Sequence, residues 1–382
     1  MFKEFSDFVK EVYATKDFIP LHEPRFIGNE KKYVLKTIDS TFVSSVGPYV
    51  DAFEKGISKY TGAKYAIATV NGTSALHIAL KLAGVDSGDE VLTQSLTFIA
   101  TCNAIRYCDA EPVFIDVERT TLGLSSASLE TFLDEYCEVR NDGFCWNKVS
   151  NRIVRACLPM HTFGFPVQLD EINEICNRYN IVLVEDAAES LGSLYKQKHT
   201  GTIGKLAAIS FNGNKIITAG GGGIVLTNDE VMAARVKHIT TTAKIPHKWA
   251  FVHDETGYNY RMPNLNAALA IAQLESLPAF LKKKRKLAMR YQEWAANKDI
   301  QFVTEPLNTK SNYWLNTVVT KSKEQQNAML EYTNNNGVMT RPVWMPMHKL
   351  AMHKTSQSVE LVNTDWLADR LVNVPSSVVM ND

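Results

Sequence analysis

The chain has 382 residues, 45% of them hydrophobic and 21% charged, which fits a soluble globular protein long enough for two domains at roughly 100–200 residues each. Lysine plus arginine balances aspartate plus glutamate at 41 each, leaving no electrostatic case for a nucleic-acid or membrane partner. No apolar run approaches the ~20 residues of a membrane span, and the amphipathic opening MFKEFSDFVKEVY lacks the features of a secretory signal, so a cytoplasmic location is expected.

From residue 65 onward, short apolar runs alternate with helical patterns. YAIATV (65–70) precedes TSALHIALKLAG, EVLTQS (90–95) precedes TFIATCNAIRYC, and EPVFIDV (111–117) follows. The stretch 136–151, YCEVRNDGFCWNKVSN, fits neither period well and is expected to be an insertion loop. The alternation resumes with RIVRACLPM (152–160), the helix-like LDEINEICNRYN (169–180), IVLVED (181–186) and AAISF (207–211). Strands separated by helices imply right-handed crossovers and a mostly parallel sheet, with ligands at the carboxyl ends of its strands. A long helical region from about residue 264 to 297, expected to break near Pro278, leads into a smaller α+β unit. The expected division is an N-terminal arm (1–24), a large domain (25–277) and a small C-terminal domain (278–382). The basic run KKKRK at 282–286 reads as a solvated helix face. Cys102, Cys108, Cys137, Cys145, Cys157 and Cys176 match neither a zinc site nor a small disulfide scaffold, so reduced, buried thiols and no metal are expected.

The strand ends carry the chemistry. In VNGTSALHIAL (70–80), Thr73 and Ser74 fall in the first turn of a helix, where free backbone N–H groups and the dipole favour an anion such as phosphate. Thr73 as a plain helix cap is the alternative. Phe98 follows the next strand, either as core or as one face of a slot for a flat heteroaromatic ring. IVLVEDAAESLGS (181–193) runs into Glu185 and Asp186 and then small residues that admit a ligand to the backbone. A carboxylate there can keep a ring nitrogen protonated. Asp116, ending another strand, is followed by polar and bulky residues and reads as a turn residue. In SFNGNKIITAGGGGIV (210–225), Ser210 ends a strand, Lys215 follows on an irregular turn, and four glycines permit close packing. A phosphate site, an aromatic slot, a carboxylate for a ring nitrogen and a lysine together describe a pocket for pyridoxal phosphate.

These motifs, with the run IPLHEPRFIGNEKKYVLKTIDSTFVSSVG, the 29-residue step from Asp186 to Lys215 and GYNYRMPNLNAALAIAQL, resemble the sugar-nucleotide aminotransferases of the DegT/DnrJ/StrS type. The resemblance spans nearly the whole chain and implies an α/β, fold-type I architecture like that of aspartate aminotransferase. It implies that Lys215 holds the cofactor and shuttles the substrate proton, Asp186 binds the pyridine nitrogen, and Phe98 stacks on the ring. Thr73, Ser74 and Ser210 would hold the phosphate, and Asn259 would reach the phosphate in a neighbouring subunit, making a homodimer the active unit. Glu189 stands where many relatives carry glutamine or histidine as a donor to the ring hydroxyl. An ionised carboxylate cannot donate, so Glu189 would accept from that hydroxyl or engage the substrate amine. Some relatives carry histidine in place of the lysine and perform deoxygenation; Lys215 favours transamination.

STFVSSVG, SFNGNKIIT and TRPVWMPMHKL look most like the aminotransferases of the legionaminic-acid and bacillosamine pathways. That likeness implies UDP-4-keto-6-deoxy-N-acetylglucosamine as acceptor and glutamate as donor, with His348 and Arg341 as candidate substrate contacts. A surface histidine and a salt-bridged arginine are their bland alternatives. Aminotransferases for 3-keto or dTDP-linked sugars share the cofactor motifs, and a pyridoxal-phosphate-binding regulator is the alternative from another class.

Overall fold

The computed structural model describes residues 1–380. Helix α1 (Phe2–Val12) buries Phe5, Val9 and Val12 along one face. Helices α2 (Glu30–Asp39) and α3 (Pro48–Thr61) follow; α3 opens on a proline and stops at Gly62, whose φ of 80° ends the helix. Then come β1 (Tyr65–Thr69), α4 (Gly72–Leu82), β2 (Glu90–Gln94), α5 (Ile99–Tyr107), β3 (Glu111–Ile115) and α6 (Ser126–Tyr136). Residues 136–151 are only partly a loop. Strands β4 (Cys137–Val139) and β5 (Cys145–Asn147) form a hairpin, and β5 pairs antiparallel with β6 (Arg152–Leu158). Its strands are too short to show a period of two, but Asp142–Gly143 is a turn signal, and Gly143 adopts a φ of 80°.

Helix α7 (Leu169–Arg178), β7 (Val182–Asp186), the short hairpin β8 (Leu194–Tyr195) and β9 (Lys198–His199), β10 (Leu206–Ser210) and β11 (Gly223–Thr227) complete the large sheet region. The sheet order is β1-β11-β10-β7-β6-β2-β3. The pairs β10–β7, β7–β6, β6–β2 and β2–β3 are parallel, and β11 runs against both its neighbours. With helices covering its apolar strands, the mostly parallel sheet is the one expected from the alternation, and the arrangement is the fold-type I one that the resemblance implied. The carboxyl ends of β7 and β10 lie side by side, which brings the segments that follow them together.

Helix α8 (Glu230–Thr240) leads to α9 (Asn264–Ala295), 32 residues long and unbroken at Pro278. Proline removes one intrahelical hydrogen bond. Leu277 and Phe280 are buried on either side of it, so packing holds the axis through the defect. Beyond α9, β12 (Gln301–Phe302) starts a second, antiparallel sheet, while β13 (Thr309–Lys310) pairs with β8 of the large region. Strand β14 (Asn316–Val319), α10 (Lys323–Asn335), β15 (Arg341–Pro342), α11 (Val362–Ala368) and β16 (Leu371–Val374) give the order β12-β14-β16-β15. The amino terminus packs here too. Ile19 bonds through its backbone to Gly337 and Met339, and Leu21 O accepts from the Ser376 N–H. All six cysteines are buried and unpaired by disulfides.

Candidate active site

Thr73, Phe98, Asp186, Glu189, Ser210 and Lys215 line one cavity of about 290 Å³. Two close approaches create it. A Cβ on Gly72 would lie 2.8 Å from Ser210 Cβ, and one on Gly223 would lie 2.3 Å from the Asn71 carbonyl oxygen. Both positions need glycine so that the turn before α4 can lie against β10 and β11. The helix is capped by Asn71, whose Oδ1 accepts from the Ser74 N–H at 2.8 Å. Thr73 is therefore not the cap, and its hydroxyl has no hydrogen-bond partner among the described residues. Ser74 is buried and lies outside the cavity lining.

Adjacent acids at the end of β7 face opposite sides, as the strand period requires. Glu185 accepts from the N–H groups of Gly201, Ile203 and Gly204 at 2.6–2.8 Å and lies 3.0 Å from His161 Nε2. Burial opposes its charge, but these donors outweigh it and hold the carboxyl below its usual range. Glu185 is an internal anchor. Asp186 faces the cavity, accepting from Thr101 Oγ1 at 2.8 Å and from the Ala188 N–H at 3.1 Å. Burial is the larger influence there and raises its pKa, with the Thr101 bond as the chief opposing effect. It has no ion-pair partner among the described residues. A cationic ring nitrogen would compensate this buried carboxylate.

Lys215 Nζ lies 3.1 Å from Glu189 Oε1 and 4.0 Å from the centre of the Trp314 ring. Trp314 Nε1 also donates to the Asn214 carbonyl at 2.7 Å, fastening the turn that carries the lysine. Glu189 is buried in the cavity wall, and its Oε2 accepts from the Phe163 N–H at 2.9 Å. Burial pushes its pKa up to about 7, against the pull of Lys215. Phe98 is 46% exposed, so it is not core; it stands at the cavity mouth with its ring 6.0 Å from that of Trp344.

Besides Ser74, three more expected site residues lie outside this lining. Asn259 is exposed, and its Oδ1 accepts from Arg261 Nε at 3.2 Å. Arg341 is exposed on β15, with Nη1 3.4 Å from Asn334 Oδ1 and from the Thr340 carbonyl. His348 is tied to the end of β2, with Nδ1 2.8 Å from Ser95 Oγ and its own N–H donating to that oxygen at 3.0 Å. Burial lowers the His348 pKa, so the ring favours its neutral form. The cavity also recruits residues that sequence reasoning passed over, chiefly Trp344, Thr101, Met160 and Asn214. Trp344 lies within the singled-out run TRPVWMPMHKL, but nothing in the spacing distinguished it from His348.

An unpartnered hydroxyl at a helix amino terminus, a buried carboxylate without a cation, a lysine and a ring at the mouth suit the phosphate, ring nitrogen, aldehyde and plane of pyridoxal phosphate. Residues 24–382 match the model of the DegT/DnrJ/EryC1/StrS aminotransferase family. The chain belongs to this family. It is 35% identical over 359 residues to a GDP-perosamine synthase of Escherichia coli O157:H7, covering 94% of this chain and 93% of that one. A GDP-perosamine synthase of Caulobacter vibrioides is 36% identical over 338 residues, covering 86% and 85%. The fold matches the PLP form of Spr1654 from Streptococcus pneumoniae with a TM-score of 0.82 at 20% identity, over 96% of this chain and 94% of that one. As a member of the DegT/DnrJ/EryC1/StrS family, the protein is a pyridoxal-phosphate-dependent sugar aminotransferase. No helix among the described residues is long and apolar enough to cross a membrane.

Proposed function

We propose that the protein transfers an amino group from glutamate to UDP-4-keto-6-deoxy-N-acetylglucosamine, giving the 4-amino-4,6-dideoxy sugar nucleotide. The observation that carries the transamination is the single cavity shared by Lys215, Asp186, Thr73 and Ser210. The acceptor rests on the likeness of STFVSSVG, SFNGNKIIT and TRPVWMPMHKL to the legionaminic-acid and bacillosamine aminotransferases. A GDP-linked sugar is the second reading, favoured by the names of the relatives at 35% and 36% identity.

When bound, pyridoxal phosphate supplies an aldehyde for amine attachment and a ring that accepts the electron pair left by a departing proton. Lys215 would hold the aldehyde carbon and move the substrate proton, with Glu189 orienting its amine across 3.1 Å. Asp186 would keep the ring nitrogen charged, Thr73 and Ser210 would hold the phosphate with Ser74 supporting the same helix turn, and Phe98 would close one face of the ring. Trp344, at the mouth, would border the sugar, while His348 would hold the segment that carries it. Arg341 and Asn259 are exposed in the single chain, where a nucleotide or a second subunit can reach them.

The test is a panel of keto-sugar nucleotides with UDP, GDP and dTDP carriers, scored by mass for the amino product after glutamate has been added. Conversion of the UDP-4-keto sugar alone supports the proposal, and preference for a GDP-linked sugar transfers it to the second reading. Absence of any glutamate-driven change in the cofactor spectrum, with no amino product from the panel, would leave a pyridoxal-phosphate-binding regulator.

A further inference from the structure

A second cavity, of about 580 Å³, lies where α3, the β8–β9 hairpin and the middle of α9 meet residues 310–311. It is larger than the cofactor cavity and falls within the ~300–1,000 Å³ of small-molecule sites. Its lining is cationic. Lys282, Arg285 and Lys310 face it, and no carboxylate does. Arg285 is neutralised by Glu305, which it contacts through two bonds of 2.8 Å. Lys282 and Lys310 are exposed and have no ion-pair partner among the described residues. The Tyr60 hydroxyl also lines the cleft without a hydrogen-bond partner among the described residues, and Leu281 and Met289 supply an apolar wall. The basic run at 282–286 is thus more than a uniform solvated face, because Lys282 and Lys284 point to different surroundings. Lys284 is buried, with its ammonium on the Ser376 carbonyl.

We propose that this cleft binds a nucleoside diphosphate, with the phosphates between Lys282 and Lys310, the Tyr60 hydroxyl as a further donor, and the base against Leu281 and Met289. Two lysines outside any direct ion pair suit a diphosphate as point charges, and the apolar wall suits a base. The cleft is joined to the catalytic cavity by a short chain of bonds. Ser311, in its wall, donates to the Gly164 carbonyl at 3.1 Å. The adjoining Asn312 donates to the Glu189 and Leu191 carbonyls at 2.9 and 3.0 Å. Glu189 contacts Lys215, and Gly192 and Leu194 line the cleft, so residues 189–194 bridge the two sites.

The test labels the cofactor-loaded enzyme with an amine-acetylating reagent in the presence of UDP, GDP, UDP-N-acetylglucosamine or inorganic diphosphate. Peptide mass spectrometry reads modification at Lys282 and Lys310, with exposed Lys55 as the control. UDP or GDP should slow labelling of both lysines about fivefold at four times Kd, leaving Lys55 unchanged. The double variant Lys282→Glu, Lys310→Glu should lose one class of nucleotide binding by calorimetry while keeping the glutamate-driven spectral change. Protection by UDP-N-acetylglucosamine as well would assign the shared diphosphate head; protection by the free nucleotides alone would assign those. Unprotected lysines, or undiminished nucleotide binding in the double variant, overturn the site. Equal protection by inorganic diphosphate at the same concentration overturns the nucleoside assignment.

Discussion

Asp186 and Glu189 are buried three residues apart beside one lysine, yet their surroundings assign them different work. Asp186 has two neutral donors and no direct ion-pair partner among the described residues, so replacing it with asparagine should leave cofactor bound while slowing transamination by ~10²–10³-fold. Stopped-flow measurement of the glutamate half-reaction decides this, and near-normal turnover would require another acid at the ring nitrogen. Lys215→Ala should cost at least ~10³-fold in turnover with the fold retained, losing a cation–π contact worth ~0.5–2 kcal/mol. Substantial single-turnover activity in the folded variant, without added amine, would remove Lys215 from the proposed role. Glu189 bears on stability. Its pKa rises from 4.5 to about 7 on burial, so the native state holds a proton that the unfolded chain releases. Its contribution is fully present below pH ~4.5 and is lost as pH rises through ~7, amounting to at most about 3 kcal/mol. Urea unfolding of the cofactor-free protein between pH 5 and 8 should therefore show a fall that Glu189→Gln reduces.

At the scale of elements, tertiary contacts reassign residues whose local sequence looked ordinary. Asp116 does more than end a turn. Its carboxylate accepts from the N–H groups of Asn363 and Thr364 and from Thr364 Oγ1, at 2.8–2.9 Å, and so caps α11 from the other end of the chain. Asp116→Ala should cost about 1–2 kcal/mol, read as a lower urea midpoint with an unchanged m-value. Because α11 carries Asp365, which lies 3.5 Å from His348 Nε2, the same change should loosen the segment bearing Trp344. A midpoint within error of the parent would deny the cap any energetic weight. The hairpin at 137–147 and the unbroken α9 differ from their sequence expectations for a common reason. Docking on β6 and burial of Leu277 and Phe280 supply stability that a local window does not contain.

For the whole molecule, the exposure of Asn259 points beyond one chain. The neighbouring loop exposes Trp249 at 77% and Phe251 at 79%, a large apolar surface for a monomer to leave in water. We propose that a second copy covers it and that Asn259 completes the partner's phosphate site. Inactive Lys215→Ala and Asn259→Asp proteins, mixed under conditions of proven subunit exchange, should then recover activity, since one site of each heterodimer is intact. Exchange without recovery would rule out shared sites. The N-terminal segment is fastened to the far end of the chain, because Ile19 bonds to Gly337 and Met339 and Leu21 to Ser376.

By itself, the amino-acid sequence determined the strand–helix alternation, the order of strand-end motifs and the cofactor chemistry. Each is encoded locally, in apolar period, in turn residues, or in the identity of Asp186, Ser210 and Lys215. Tertiary structure decided which of two adjacent acids faces the cavity and that Asn71 rather than Thr73 caps α4. It also brought Trp314 and Trp344 to the site from beyond residue 300, and left His348 clamped on Ser95. Those outcomes depend on contacts between residues up to 253 positions apart, fixed by sheet order and packing after the chain has closed on itself.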